Sequence, residues 1–212
     1  MSLTLYFLRH GETENSFTDT FCGTLDPDLT PQGKEMATAF AGAYGSFDWS
    51  AIYVSPMRRT ISTAQPLCEA IGVEMQLKDG LKEMNFGGWE NQSRDWVKEH
   101  YLDEYINWMT EPAWNPPPDG ETAVEVGSRA MLVISEIETK YPDGKVLVVS
   151  HKTTIRIILC HLLGIDLGLY RDRIDMLAAS VSVIQFGLHG PMLKKLGDRS
   201  YMSQELQDRV GN

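Results

Sequence analysis

The chain has 212 residues, of which 42% are hydrophobic and 23% are charged, and its formal net charge is −10. This length and composition are typical of one globular domain with a sizeable core, and the longest apolar runs are too short to span a membrane. The negative charge argues against binding to nucleic acid or to an anionic membrane surface. A small anionic ligand would therefore need a pocket in which the few cations are concentrated.

Three cysteines, Cys22, Cys68 and Cys160, are widely and irregularly spaced, which suits a reducing compartment better than a disulfide framework. The N-terminus lacks the basic flank and cleavage site of a signal peptide, so we expect a cytoplasmic protein. The five histidines are scattered and form no metal-ligand pattern. We expect neither a metal site nor another cofactor.

The first part of the chain predicts a strand, a long loop and a helix. Residues 3–8 are nearly all apolar and indicate a buried strand. Residues 11–28 are rich in glycine, threonine, aspartate and proline and indicate a loop. Thr30-Pro31 places a capping residue before a proline at the first helical position, which predicts a helix over residues 31–44.

A second strand and a second helix are predicted next. Residues 51–54 form a short apolar run, and Ser55-Pro56 repeats the combination of cap and proline, so a helix should begin immediately. Pro66 should kink this helix or end it early. Residues 73–77 indicate a weak third strand near an edge of the sheet.

The middle of the chain should contain an irregular glycine-rich segment, one or two aromatic helices, a proline loop and a five-turn helix, at residues 79–91, 92–109, 112–118 and 122–140. We interpret residues 85–118 as a cap-like insertion on a single domain that spans residues 1–212. Its aromatic side chains could form a lid over a substrate, but packing against the sheet is the favoured interpretation for most of them.

The last part of the chain should contain a buried strand, a helix closed by a glycine and a hairpin of two strands, at residues 145–149, 154–163, 181–186 and 191–196. The last dozen residues are polar and predict a frayed terminus. Strands alternate with helices along the chain, which predicts an α/β fold of three layers, α/β/α, with a mostly parallel sheet and helices on both faces.

Three of the predicted strands run directly into polar residues. The residues that follow them are Arg9 and His10 after the first, Ser55, Arg58 and Arg59 after the second, and Ser150, His151 and Lys152 after the third. Because the carboxyl ends of parallel strands meet at one edge of a sheet, these side chains should lie together. Two histidines with several cations indicate an anion site, and phosphate is the favoured anion.

These residues resemble the motifs of the histidine phosphatase superfamily, in its phosphoglycerate-mutase-like group. The matching motifs are Arg9-His10-Gly11-Glu12-Thr13, Leu29-Thr30-Pro31 with Gly33, Ser55-Pro56-Met57-Arg58-Arg59-Thr60 with Thr63-Ala64, Glu83 with Phe86-Gly87, and Val149-Ser150-His151 with Ile155-Arg156. They occur in the order found in the family and span residues 3 to 160. The resemblance implies a phosphoglycerate-mutase-like fold.

The resemblance also implies a role for each motif residue. His10 would attack phosphorus and form a phosphohistidine. Arg9, Arg59 and His151 would hold the phosphoryl oxygens. Glu83 would protonate the leaving oxygen and later activate water. This chemistry requires no metal.

Secondary contacts with the substrate are implied for Ser16, Cys22, Gly23 and Lys152. Two of these positions depart from the family pattern, since Ser16 lies where the family often has asparagine, and Lys152 replaces a residue that is often glycine. Arg156 is interpreted as a residue that holds the following helix and loop rather than the substrate.

The resemblance implies a metal-independent phosphatase acting on a small phosphorylated metabolite. The alternative is a phosphoglycerate mutase, but the similar mutases carry an adjacent pair of arginines in a longer insertion, and residues 84–150 contain only Arg94 and Arg129, far apart. A phosphoprotein phosphatase and a non-catalytic phospholigand-binding protein rank below these two. The oligomeric state is left open.

Overall fold

The computed structural model describes residues 2–209. The six strands found there, β1 to β6, are Leu3–Arg9, Trp49–Val54, Met75–Leu77, Gly144–Ser150, Val181–Gly187 and Gly190–Asp198. The α-helices of the same residues, α1 to α9, are Glu14–Thr18, Pro31–Tyr44, Arg58–Ile71, Arg94–His100, Leu102–Thr110, Ala123–Lys140, Lys152–Leu163, Tyr170–Arg173 and Gln204–Gln207. Short 3-10 helices occupy Asp79–Leu81, Gly87–Trp89 and Leu167–Leu169.

One mixed sheet contains the six strands in the order β3-β2-β4-β1-β5-β6. The first four strands in this order are mutually parallel, whereas β5 and β6 form an antiparallel hairpin that pairs with β1. The predicted mostly parallel sheet is confirmed. The short strand β3 lies at an edge, as its weak apolar pattern predicted.

Alternate residues of the strands pack on opposite faces of the sheet, as the period of two in a strand requires. In β1, Leu5 and Phe7 belong to a hydrophobic cluster with α6 and α7, whereas Leu8 belongs to a cluster with α2 and α3. The predicted arrangement of three layers is therefore confirmed.

Three neighbouring strands end at nearly the same level of the sheet, which sets the position of the residues that follow them. In the β1–β4 pair, Arg9 lies opposite Ser150, and in the β2–β4 pair, Val54 lies opposite Val149. The polar residues after β1, β2 and β4 therefore emerge side by side at one rim of the sheet.

Pro66 does not end helix α3, which continues to Ile71. A proline inside a helix removes one hydrogen bond and crowds the preceding turn, but Ala64 and Leu67 on either side of it are buried against the sheet. This tertiary packing outweighs the local penalty. The helix begins at Arg58, later than the cap-and-proline pattern predicted.

A short helix, α1, lies inside the segment that was predicted as a loop. Thr13 caps it, because its side chain accepts a hydrogen bond from the backbone N–H of Ser16 while the Ser16 hydroxyl accepts one from the backbone N–H of Thr13. This reciprocal arrangement is a capping box formed with serine in place of glutamate or glutamine, so the usual sequence signal was absent.

Residues 201–209 pack against the rest of the domain, so the prediction of a frayed terminus is wrong for these residues. Met202 and Leu206 are buried against Met36 of α2. The Arg209 guanidinium donates two hydrogen bonds to the carboxylate of Glu12, at 2.8 and 2.9 Å. Residues 210–212 lie outside the described residues.

Most aromatic side chains of the segment 85–118 have a packing role, as favoured from the sequence. Trp89 and Trp108 are buried in the same cluster as the sheet residues Leu5 and Phe7. Trp114, in contrast, has 66% of its surface exposed. The description of this segment as a cap-like insertion stays a prediction.

Candidate active site

A cleft of about 690 Å³, its open mouth included, lies at the carboxyl ends of β1, β2 and β4. Eight of the nine predicted site residues line it, namely Arg9, His10, Ser16, Cys22, Gly23, Arg59, Glu83 and Lys152. The ninth, His151, is fully buried, with its ring centroid 5.2 Å from that of His10. The structure thus brings all the sequence-predicted site residues together.

The His10 imidazole is oriented by the backbone. Its Nδ1 lies 2.8 Å from the carbonyl oxygen of Gly11, and because a carbonyl can only accept, Nδ1 must carry the proton. Burial, followed by the charges of Arg59 and Arg9, lowers the pKa of His10 well below its ordinary value. The neutral ring therefore has its lone pair on Nε2, the form that a nucleophile requires.

His151 has the opposite tautomer. Its Nδ1 accepts a hydrogen bond from Nε of Arg59 at 3.2 Å, so its proton is on Nε2, which donates to the Ser55 hydroxyl at 2.8 Å. Burial and the Arg59 charge lower its pKa well below the ordinary value. Ser55, read from the sequence as a helix cap, instead orients this histidine, which explains why α3 begins later than predicted.

Arg59 links the rim of the sheet to the loop of residues 23–25. Its guanidinium donates to the carbonyl oxygens of Gly23 and Leu25, at 3.0 and 2.5 Å. Gly23 has a φ of +54°, and a Cβ there would lie 2.0 Å from the carboxylate of Glu90. Only glycine fits this position without a shift of Glu90, which itself accepts a hydrogen bond from the Thr24 backbone.

Arg9 is the last residue of β1 and is almost fully buried. One of its guanidinium nitrogens donates to the carbonyl oxygen of Met176 at 2.8 Å. Burial lowers the pKa of Arg9 to about 9, with the charge of Glu83 acting in the opposite direction. The side chain remains cationic at neutral pH.

The carboxylate of Glu83 lies at the N-terminus of α7. It accepts hydrogen bonds from the backbone N–H groups of Thr153 and Thr154, each at 3.2 Å, and from that of Met84 at 2.9 Å. These three backbone donors fix the position of the Glu83 carboxyl group at the wall of the cleft. Arg129 fixes the same loop by donating to the carbonyl oxygen of Glu83.

Ser16 and Cys22 line the cleft with side chains that have partners within the protein. The Ser16 hydroxyl donates to the carbonyl oxygen of Thr13 at 2.9 Å. The Cys22 thiol lies 3.6 Å from the carbonyl oxygen of Leu25. Burial raises the pKa of the Cys22 thiol to about 11, which argues against a thiolate and agrees with its interpretation as a small loop residue.

Several residues that line the cleft were not predicted from the sequence, namely Arg94, Trp108, Arg156, Tyr170 and Arg171. Arg156 had been interpreted as a structural residue. One signal was available, because Arg156 lies four residues after Lys152 and residues at this spacing share one face of a helix. Arg171 and Tyr170, in the short helix α8, carried no comparable signal.

Arg94 and Arg129 do not form the arginine pair expected of a mutase. Arg94 lines the cleft, where it is paired with Asp19 at 3.2 Å. Arg129 forms an ion pair with Glu121 at 2.9 Å and holds backbone carbonyls of the Glu83 loop. The two side chains have separate structural roles.

Residues 2–209 contain neither a candidate metal site nor a helix that could span a membrane. No cluster of three or more histidine, cysteine, aspartate or glutamate side chains has the arrangement of a metal site there. In the same residues, none of the helices has the length and apolar character needed to cross a membrane.

Comparisons with known proteins agree with the geometry. Residues 5–199 match the family model of the histidine phosphatase superfamily (branch 1). Phosphoserine phosphatase 1 of Hydrogenobacter thermophilus is 32% identical over 164 residues, covering 77% of this chain and 78% of the relative. A glucosyl-3-phosphoglycerate phosphatase of Mycobacterium tuberculosis is 30% identical, covering 77% of each.

Among solved structures, YhfR of Bacillus stearothermophilus superposes with a TM-score of 0.87 at 23% identity, covering 95% of this chain and all of that one. This likeness concerns the fold. The match of the family model over most of the chain, together with the relatives, shows that the protein is a member of the histidine phosphatase superfamily.

Proposed function

We propose that this protein is a phosphatase that hydrolyses a small-molecule phosphomonoester through a phosphohistidine on His10. The observation that carries the proposal is the geometry of His10, a buried neutral imidazole whose Nδ1–H is held by Gly11. The two arginines that lower its pKa, Arg9 and Arg59, line the same cleft. A nucleophile is thereby combined with charges that suit phosphoryl oxygens.

In the first step, the lone pair on Nε2 of His10 attacks phosphorus and the bond from phosphorus to the ester oxygen breaks. Arg9 and Arg59 balance the charge on the transferring group, and the neutral His151 can contribute only an N–H hydrogen bond. The electron pair of the broken bond stays on the leaving oxygen, which takes a proton from the protonated form of Glu83. The products of this step are an alcohol and phosphohistidine.

In the second step, the Glu83 carboxylate accepts a proton from water while the water oxygen attacks phosphorus. The bond from phosphorus to Nε2 of His10 breaks, which releases inorganic phosphate and restores the neutral imidazole. Glu83 regains its proton, so the cycle closes without a metal. The relatives named for phosphoserine and for glucosyl-3-phosphoglycerate support a small phosphorylated metabolite as the substrate.

The size of the cleft supports hydrolysis of a small molecule rather than a phosphoprotein. Its volume is about 690 Å³ with the mouth included, and the aromatic residues Phe21, Phe86 and Trp108 are part of its wall. The cation positions support hydrolysis over mutase activity, because Arg129 is outside the cleft lining. Cytoplasmic location and the lack of nucleic-acid binding remain predictions from the sequence.

The test is phosphate release from p-nitrophenyl phosphate, with and without EDTA, by the wild-type protein and by His10→Ala. We expect EDTA to leave the rate unchanged, and His10→Ala to lower kcat by about four orders of magnitude or more, as loss of a covalent nucleophile should. His100→Ala is the matched control, because His100 is exposed on α4 and its loss should have no effect.

Mass spectrometry of rapidly quenched wild-type protein should detect an acid-labile phosphate on His10. Loss of activity on chelation would contradict the metal-free mechanism. Near wild-type activity of His10→Ala, or a phosphate found on another residue, would contradict the role of His10.

A further inference from the structure

The cleft carries more positive charge than a phosphate group needs. Its lining contains six cationic side chains, namely Arg9, Arg59, Arg94, Lys152, Arg156 and Arg171, and two carboxylates, Asp19 and Glu83. The formal net charge of the whole chain is −10. So strong a local excess of positive charge in an acidic protein indicates a site for more negative charge than one phosphate dianion carries.

The six cations divide into groups by position. Arg9 and Arg59 are close enough to His10 to lower its pKa, so they serve the reacting phosphate. Arg94 is already paired with Asp19 at 3.2 Å. The other three cations, Lys152, Arg156 and Arg171, lie on α7 and α8, and we call them the α7–α8 cation group.

Lys152 and Arg156 lie one helical turn apart on the same face of α7. The Arg156 side chain is only 11% exposed, and its one carboxylate contact within residues 2–209 is with Asp175, at 3.7 Å. Its Nε has no hydrogen-bond partner in this part of the chain. A buried guanidinium with such a loose partner can form a fork of two hydrogen bonds with an incoming anion.

Tyr170 and Arg171 bring α8 into the same wall of the cleft. The Tyr170 side chain is 1% exposed, and its buried hydroxyl has no hydrogen-bond partner among the described residues. The Arg171 guanidinium stacks 3.8 Å from the centre of the Trp108 ring and donates to two backbone carbonyls. These contacts hold the Arg171 charge in place, whereas the Arg156 guanidinium can donate hydrogen bonds to an incoming anion.

The close approach of these cations has a cost in the absence of a ligand. Burial lowers the pKa of Lys152 to about 7, and the charges of Arg9 and Arg156 act in the same direction. A bound anion would offset this repulsion. The lysine also replaces the glycine that is frequent after the second histidine in the family, so the charge belongs to this chain rather than to the general phosphatase chemistry.

We propose that Lys152, Arg156 and Arg171, with the hydroxyl of Tyr170, form a second anion subsite on the α7–α8 side of the cleft. The substrate is then a small phosphomonoester that carries another anionic group, a carboxylate or a second phosphate, a few atoms from the ester oxygen. This inference rests on the proposed function, because it assigns the substrate class of the same cleft.

The test compares substrates that differ only in the second anion. Phosphoserine and phosphoethanolamine differ by a carboxylate, and propane-1,3-diol bisphosphate and its monophosphate differ by a phosphate. We expect kcat/KM to be at least about tenfold higher for one doubly anionic member, since a hydrogen-bonded charge contributes on that scale. The pair with the larger preference identifies the class of the second anion.

Substitution of Arg156 tests the assignment to residues. Arg156→Met should reduce the preference to about twofold or less, and Arg156→Lys should keep part of it, because charge remains but the fork is lost. Arg173→Met is the matched control, because Arg173 is exposed on the same short helix as Arg171 and is absent from the cleft lining. It should retain the full preference.

Calorimetric binding of the paired compounds to His10→Ala protein separates the two proposals. Stronger binding of a doubly anionic compound than of its singly anionic partner supports the subsite. If the wild-type protein hydrolyses none of these compounds, the proposed function is overturned but the subsite is not. Hydrolysis by the wild-type protein with equal kcat/KM and equal binding within each pair would overturn the subsite alone. A preference that survives in Arg156→Met would also overturn it.

Discussion

Two sides of the cleft, the strand-end side and the α7–α8 side, are built in different ways. On the strand-end side, His10 and His151 directly follow two parallel strands whose register places their last residues side by side. On the α7–α8 side, Arg156 and Arg171 are side chains on two packed helices, and Arg171 stacks on Trp108 of a third. The chemistry therefore depends on backbone pairing within the sheet, whereas the choice of substrate depends on how helices pack above it.

This difference predicts different consequences of substitution on the two sides. A change on the strand-end side should affect every substrate, because the transferring phosphoryl group is common to all of them. A change on the α7–α8 side should affect only substrates that reach it. Two further predictions test this division, and a third concerns an ion pair outside the cleft lining; they are given from the largest expected effect on turnover to the smallest.

Glu83→Gln should lower kcat about a hundredfold to a thousandfold on alkyl phosphates, and much less on p-nitrophenyl phosphate, whose leaving oxygen needs no proton. Steady-state rates on both classes measure the difference. Glu104→Gln, an exposed position on α5, is the control. Equal losses on both substrate classes would contradict the protonation of the leaving group by Glu83.

Lys152 should make recognition of a second anion depend on pH. Because its pKa is lowered to about 7, the side chain is charged below that pH and loses its proton above it. KM for a doubly anionic substrate should therefore rise as the pH increases through about 7, by roughly tenfold at most. Four charged groups influence the pKa of Lys152. The charges of Arg9, Arg156 and Arg94 lower it, and the charge of Asp19 raises it.

Lys152→Met should raise KM for the doubly anionic substrate below about pH 7 and remove most of the dependence of KM on pH. Lys140→Met, at an exposed position, should leave this dependence unchanged. A profile that keeps its shape in Lys152→Met would show that another group titrates. The singly anionic substrate provides an internal reference, since its KM should change little in either protein.

The ion pair of Arg209 with Glu12 should affect stability more than catalysis. Among the side chains of residues 2–209, Arg209→Ala leaves the fully buried carboxylate of Glu12 with the hydroxyl of Thr30 as its hydrogen-bond partner. The substitution should lower the free energy of unfolding by about 1–3 kcal/mol. Denaturant unfolding measures this loss, and turnover should stay within about twofold of wild type. Lys98→Ala, which breaks an exposed pair with Asp95, should have a smaller effect.

The same pair has a predictable dependence on pH. Burial acts to raise the pKa of Glu12, but the hydrogen bonds from Arg209 and Thr30 outweigh it and lower the pKa below the ordinary value. The stabilisation is therefore present above the ordinary pKa and is lost as the pH falls through the pKa of the folded state. The difference in stability between wild type and Arg209→Ala should narrow in acid, and a constant difference would contradict the pair.

Local patterns in the sequence were sufficient for the layered fold and for the strand-end side of the cleft. The apolar runs at residues 3–8 and 145–149 predicted parallel strands that end at one rim of the sheet, and the polar residues that follow them predicted an anion site, with phosphate favoured. Where prediction failed, a tertiary contact had replaced the local preference. Ser55 was read as a helix cap, but its hydroxyl orients His151 instead. Pro66 was expected to kink α3 or end it early, but the helix continues to Ile71 and packs against the core on either side of the proline.

The sequence by itself thus predicted the layered fold and an anion site, because the period of apolar residues and the polar residues at strand ends are local signals, and the resemblance of its motifs implied the chemistry. Only the tertiary structure decided which further cations line the cleft. Arg94, Arg156 and Arg171 lie on separate helices, and no short-range pattern encodes how those helices pack. No short-range pattern predicts the pairing of Glu12 with Arg209 either, because the two residues are 197 positions apart in the sequence. They meet because the C-terminal segment packs beside the motif that contains Glu12.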